Sequence, residues 1–127
     1  MKVGVIGCGF FAQNHLHAWR DIEGVDVVAL CDNDQSNLFA TSKEFKIRRQ
    51  FTDAVELFKY GQFDIVDIAT TAPSHRSLVE MAAQHTKHII CQKPFAESVK
   101  DARAMVGAVE ATGKTLMVHE NFRWQSA

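Results

Sequence analysis

The stretch VGVIGCGFFA, residues 3–12, sets an apolar run from Val3 to Ile6 directly against Gly7 and Gly9, with Ala12 where a third glycine often sits. Two glycines so close together cost backbone entropy unless something must approach the main chain there. A strand ending at Ile6, a tight turn, and a helix carrying Ala12, Leu16 and Trp19 on one face account for the pattern. That helix ends by Gly24.

Outward from this unit the chain keeps alternating. Val25–Cys31 is a near-continuous apolar run, suited to a strand covered on both faces. Asp34–Phe45 reads as a helix with Leu38 and Phe45 turned inward, Arg49–Phe51 as a short edge strand, and Asp53–Lys59 as a short helix. Ile65–Ile68 is the next strand, Ser74–Gln84 a helix and His88–Cys91 a strand. Ser98 and Asp101 form a capping-box pattern opening a helix whose Val99, Ala102, Met105, Val106 and Val109 share a face. Gly113 stops it, and Thr115–His119 is the last strand. Strand–helix alternation over short polar turns implies right-handed parallel crossovers. The predicted fold is α/β: a single-domain, doubly wound (Rossmann) six-stranded parallel sheet over residues 1–127, ordered 3-2-1-4-5-6. A five-stranded flavodoxin-like sheet fits less well, because it leaves the last strand without a place.

Composition narrows the function classes. The chain has 127 residues, 46% hydrophobic and 23% charged, with a net charge of −1, so no basic footprint points to nucleic acid. No apolar run approaches the roughly 20 residues of a membrane span, so no membrane partner is expected. Cys8, Cys31 and Cys91 are odd in number and widely spaced, which supports neither a disulfide framework nor a structural metal. Buried free thiols in a reducing cytoplasm fit them. His15 and His17 lie two apart on a helix and point different ways, so they make poor metal ligands.

Gly7, Gly9 and Ala12 match G-x-G-x-x-G/A between a strand and a helix: one glycine for the turn, one for close approach of a pyrophosphate, and a small residue for helix–strand packing. Phe10 and Phe11 belong to the same turn. Asp32 ends the second strand 20 positions after Ala12, where a carboxylate accepts hydrogen bonds from ribose hydroxyls and repels a 2′-phosphate. Asn33 and Asp34 bring no arginine for such a phosphate. NAD is therefore favoured over NADP. The alternative for Asp32 is a plain cap of the following helix.

Two further stretches follow strands at the carboxyl edge: ATTAPSH, with Thr70, Thr71, Pro73, Ser74 and His75, and CQKPF, with Gln92, Lys93 and Pro94. The last strand runs out into HENFRW, residues 119–124. In that combination, GCGFFA, TTAPSH, CQKP and HENFRW, the chain resembles the amino-terminal domain of the glucose-fructose oxidoreductase, inositol dehydrogenase and MocA (Gfo/Idh/MocA) family along essentially its whole length. The resemblance implies an NAD(P)-dependent oxidoreductase acting on a sugar, cyclitol or similar polyhydroxy compound. It assigns Lys93 to catalysis, hydrogen-bonding the reacting oxygen and assisting proton transfer. It places Thr70, Thr71, Pro73, His75, Gln92, Asn121 and Arg123 on the dinucleotide, with Trp124 near the cofactor end of the cleft. Two departures stand out. The family's glutamate is Gln92 here, which can still bond a ribose hydroxyl, and a second histidine of the family is Ser77. His119 reads as a cleft or structural histidine rather than a substitute base.

The family's members continue into a second, mostly antiparallel domain that carries the substrate pocket and usually the oligomer interface, for which this chain has no sequence. The expectation is a cofactor domain that binds NAD(H) and turns over little or no substrate, with the full-length protein a homo-oligomer. Two competing readings remain: a stand-alone NAD-sensing module, and another two-domain dehydrogenase of amino-acid or biliverdin-reductase type.

Overall fold

The computed structural model describes residues 1–120. Six strands and five helices alternate: β1 Lys2–Ile6, α1 Phe10–Arg20, β2 Asp26–Cys31, α2 Gln35–Phe45, β3 Arg49–Phe51, α3 Ala54–Tyr60, β4 Ile65–Ile68, α4 Ala72–Ala83, β5 His88–Gln92, α5 Val99–Thr112 and β6 Thr115–His119. All pairings are parallel, in the order β3-β2-β1-β4-β5-β6, as the alternation predicts.

Burial sorts the helices onto two faces. Leu57 and Phe58 of α3, Leu78, Val79, Ala82 and Ala83 of α4, and Met105 and Val109 of α5 pack with Val66, Ile68, Ile89 and Cys91 in the larger core. Leu16 of α1 and Leu38 of α2 pack with Val3, Val5, Leu30 and Ile65 on the opposite face. Period-two alternation along the strands feeds both cores, which is why their sequences read as unbroken apolar runs.

Local chemistry sets the element ends. The Asp34 carboxylate accepts from the Ser36 and Asn37 N–H groups and so caps α2, which begins one residue later than the sequence suggests. Asp53 caps α3 through the Val55 N–H, and Ser98 caps α5 through the Asp101 N–H. The Asp101 carboxylate turns to Arg76 Nη1 at 2.8 Å and ties α5 to α4. Helix α4 starts at Ala72, two residues before the predicted Ser74, because Pro73 fits its first turn. The expected apolar face of α5 is narrower than predicted: Met105 and Val109 are buried, whereas Val99 is 70% exposed and Val106 38%. This helix packs against α4 and the edge strand β6, and that contact needs only a thin stripe.

Candidate functional site

A cleft of about 900 Å³ opens at the carboxyl ends of β1 and β4, where the strand order reverses. Sheets of this kind bind ligands at that position. Its walls come from the turn after β1, the ends of β2 and β3, the start of α4 and the turn after β5.

The two glycines of the first turn play different parts. Gly7 has φ +104°, and a Cβ built there would lie 2.7 Å from the Ala69 carbonyl oxygen. The Gly7 N–H donates to the Cys31 carbonyl at 2.8 Å, and the Ala69 N–H to the Ile6 carbonyl at 2.8 Å, which hold the turn against both neighbours. Glycine at position 7 is thus demanded by the fold itself. Gly9 has an ordinary φ of −81°, and a Cβ there would meet nothing within 4 Å. Neither backbone strain nor packing accounts for that second glycine. Ala12 is fully buried beneath the turn, as close helix–strand packing requires, and does not face the cleft.

Asp32 directly follows β2 at the cleft wall. One carboxylate oxygen accepts the Cys8 N–H at 2.7 Å and the other the Asp34 N–H at 2.8 Å. The plain-cap alternative for Asp32 is corrected, since the cap of α2 is Asp34. Asp32 instead clips the glycine turn to β2. Each carboxylate oxygen has a second lone pair to offer a ligand. Burial, followed by the nearby Asp32 charge, pushes the Cys8 and Cys31 thiols up to about 12. Burial, followed by Asp67, does the same for Cys91. All three cysteines are free, buried thiols.

Helices α1 and α4, which open at the middle of the cleft, differ from the side-chain-capped α2, α3 and α5. Their N-cap residues, Gly9 and Thr71, make no side-chain cap bond, and neither first turn carries an acid. Their amino ends keep unpaired N–H groups and positive potential facing the cleft.

Thr70 and Thr71 line the cleft with Ser74, whose hydroxyl donates to Thr70 Oγ1 at 2.7 Å. His75 and Pro73 do not line it. Pro73 is exposed within the first turn of α4, and the His75 ring is fully buried. Its Nε2 lies 2.9 Å from the Thr70 carbonyl and its Nδ1 3.1 Å from the Phe95 carbonyl. Both stand outside the cleft lining, and His75 staples the loop after β4 to the turn after β5.

Gln92 and Lys93 line the far end of the cleft, where the Lys93–Pro94 peptide is cis. Lys93 Nζ lies 5.6 Å from the centre of the Phe11 ring, within cation–π range. Phe11 meets Phe10 edge-on at 5.9 Å, and Phe10 is 84% exposed at the lip. Thus Gly7, Gly9, Phe10, Phe11, Asp32, Asn33, Thr70, Thr71, Gln92 and Lys93 converge on one cavity. Asn121, Arg123 and Trp124 lie outside the described residues.

Sequence reasoning missed Thr52 and Ala54 on the outer wall and Ser77 and Leu78 on α4. Thr52 carried a readable signal, because it directly follows a strand at the carboxyl edge. It also missed a buried polar cluster on the α1 side of the sheet. There Asp67 accepts from Trp19 Nε1 at 2.7 Å and pairs with His15 Nδ1 at 2.8 Å. Among the described residues, no group of three His, Cys, Asp or Glu side chains could hold a metal ion, and no helix is long and apolar enough to cross a membrane.

A family model described as an oxidoreductase family with an NAD-binding Rossmann fold matches residues 1–120. D-Apiose dehydrogenase of Paraburkholderia graminis is 61% identical over 126 residues, covering 99% of this chain and 34% of that protein. The crystal structure of an oxidoreductase from Agrobacterium radiobacter, in complex with NAD+, L-tartaric acid and magnesium, superposes with a TM-score of 0.96 at 55% identity, over 98% of this chain and 36% of that one. The WlbA dehydrogenase of Bordetella pertussis, in complex with NADH and UDP-GlcNAcA, gives a TM-score of 0.93 at 26% identity, over 98% of this chain and 38% of that one. The chain spans about a third of the length of the curated relatives it matches.

Proposed function

Since the chain belongs to the Gfo/Idh/MocA oxidoreductase family, with its NAD-binding Rossmann fold, we propose that its cleft holds NAD(H) and forms the cofactor half of a two-domain dehydrogenase. The substrate class is a sugar, cyclitol or similar polyhydroxy compound, and D-apiose, named for the 61%-identical relative, is the first to try. The observation that carries this reading is Gly9, a glycine that neither its backbone angle nor its neighbours require. A diphosphate lying against bare main chain at the amino end of α1 supplies the requirement.

In this arrangement Asp32 accepts the adenosine ribose hydroxyls with the lone pairs its two backbone bonds leave over. Thr70 and Thr71 border the middle of the cofactor, and Lys93 marks its reactive end. The bound nicotinamide supplies the hydride chemistry. Lys93, steadied over the Phe11 ring, donates a hydrogen bond to the reacting oxygen, stabilising alkoxide charge and helping its proton move.

The test is a titration of the purified chain with both reduced cofactors. NADH is expected to bind about tenfold or more tightly than NADPH, because Asp32 loses charged hydrogen bonds and gains repulsion against a 2′-phosphate. Asp32→Ser should narrow that gap. Equal or tighter NADPH binding by the unaltered chain overturns the assignment. For Lys93, the two-domain protein assayed for sugar-dependent NADH formation is expected to lose about 100-fold or more in kcat on Lys93→Met, the range of a lost proton-transfer group. NADH affinity of the chain should stay within about threefold, under 1 kcal/mol. An unchanged kcat removes Lys93 from the chemistry.

A further inference from the structure

Gln92 and His119 are cross-strand partners at the ends of β5 and β6, and they join the cleft to the buried cluster on the α1 side. The Gln92 side chain is 4% exposed and lines the cleft, while its Oε1 lies 2.7 Å from His119 Nδ1. The His119 ring stands edge-on to the His15 ring, with centroids 4.6 Å apart. His15 is in turn fixed by Asp67, which Trp19 also holds. Three side chains from α1 and β4 therefore stand behind one imidazole and one amide. The bracing is unusual in one respect: His15 Nε2 is the buried side-chain nitrogen or oxygen without a hydrogen-bond partner among the described residues.

We infer that His119 is a positioning residue for the cleft: its Nδ1–H holds the Gln92 carbonyl, so that the Gln92 amide offers its N–H groups beside Lys93. This rests on the cleft being the cofactor site proposed above. A glutamine has one acceptor group and two N–H donors. His119 turns the Gln92 oxygen toward β6, so the amide presents its two N–H donors to a ligand, next to an ammonium group that is also donor only. That end of the cleft accordingly selects acceptor oxygens, whether of a ribose or of a substrate hydroxyl. Burial, and then the neighbouring His15, hold the His119 imidazole below its usual range. That shift favours the neutral ring, which has one N–H to place.

The experiment uses the chain itself and has two arms. Long-range nitrogen–proton NMR of the histidine rings is expected to show His119 in the Nδ1–H form, and Gln92→Leu should release it toward the Nε2–H form. In NADH titrations His119→Phe, which keeps a flat ring without the donor, is expected to weaken binding by about three- to tenfold, the range of one hydrogen bond. His119→Asn, whose amide nitrogen can sit where Nδ1 sits, should restore affinity to within about twofold of the unaltered chain. An Nε2–H tautomer in the unaltered chain, or equal NADH affinities for the Phe and Asn variants, overturns the inference. If His119→Phe does not fold, Gln92→Leu decides, since it must show the same loss of affinity. Failure of the unaltered chain to bind NADH would instead sink the cofactor reading, a result the tautomer measurement cannot mimic.

Discussion

Gly9→Val is expected to abolish measurable NADH binding, a loss of roughly 30-fold or more, while the thermal unfolding midpoint stays within about 2 °C of the unaltered chain. The reasoning is steric and one-sided. A Cβ at position 9 would meet nothing within 4 Å, and φ at −81° suits any residue. Neither the backbone nor packing at Cβ bars valine. A diphosphate drawn to the amide groups of the α1 amino end would meet two methyl groups instead of bare backbone. Isothermal calorimetry and a thermal melt on the same sample give both numbers, and a valine variant that binds NADH normally would show that nothing approaches the turn.

Gly7→Ala is expected to do the reverse, destabilising the fold itself. A Cβ at position 7 would sit 2.7 Å from the Ala69 oxygen and 2.8 Å from its carbonyl carbon, both backbone atoms that cannot swing aside. The residue would also hold φ near +104° with a side chain attached. Overpacking of this kind costs roughly 1–3 kcal/mol, and the strained backbone adds roughly 1–2 kcal/mol. A sum near 3 kcal/mol lowers the melting midpoint of a domain this size by roughly 10 °C. A midpoint shift under 2 °C would mean that the turn relaxes freely and that the packing argument is wrong. Taken as a pair, the two variants separate what the fold requires from what a ligand requires.

How far the sequence could be read follows from the range of each interaction. The strands and their order were legible because apolar runs and helical periodicity are local patterns, and parallel crossovers leave few topologies. Gly7, Gly9 and Asp32 were legible because turn, helix start and strand end lie at fixed spacings. What escaped depended on partners far along the chain. His75 reads as a polar residue opening a helix at the cleft, yet its ring is buried because the Phe95 carbonyl, 20 positions away, takes one of its nitrogens. His15 reads as one of two unremarkable helix histidines until Asp67, 52 positions on, meets it inside the sheet. The exposed Val99 and Val106 illustrate the opposite error, where helical spacing promised a wide apolar stripe and an edge position used only part of it.

The His75 ring also governs how the rim can move. The buried ring sits between the Thr70 and Phe95 carbonyls, so the loop bordering the middle of the cleft and the turn carrying Lys93 both rest against one rigid side chain. Displacing the threonines would press that ring toward the turn that carries the lysine. The two segments of the rim thus meet through a single rigid five-membered strut.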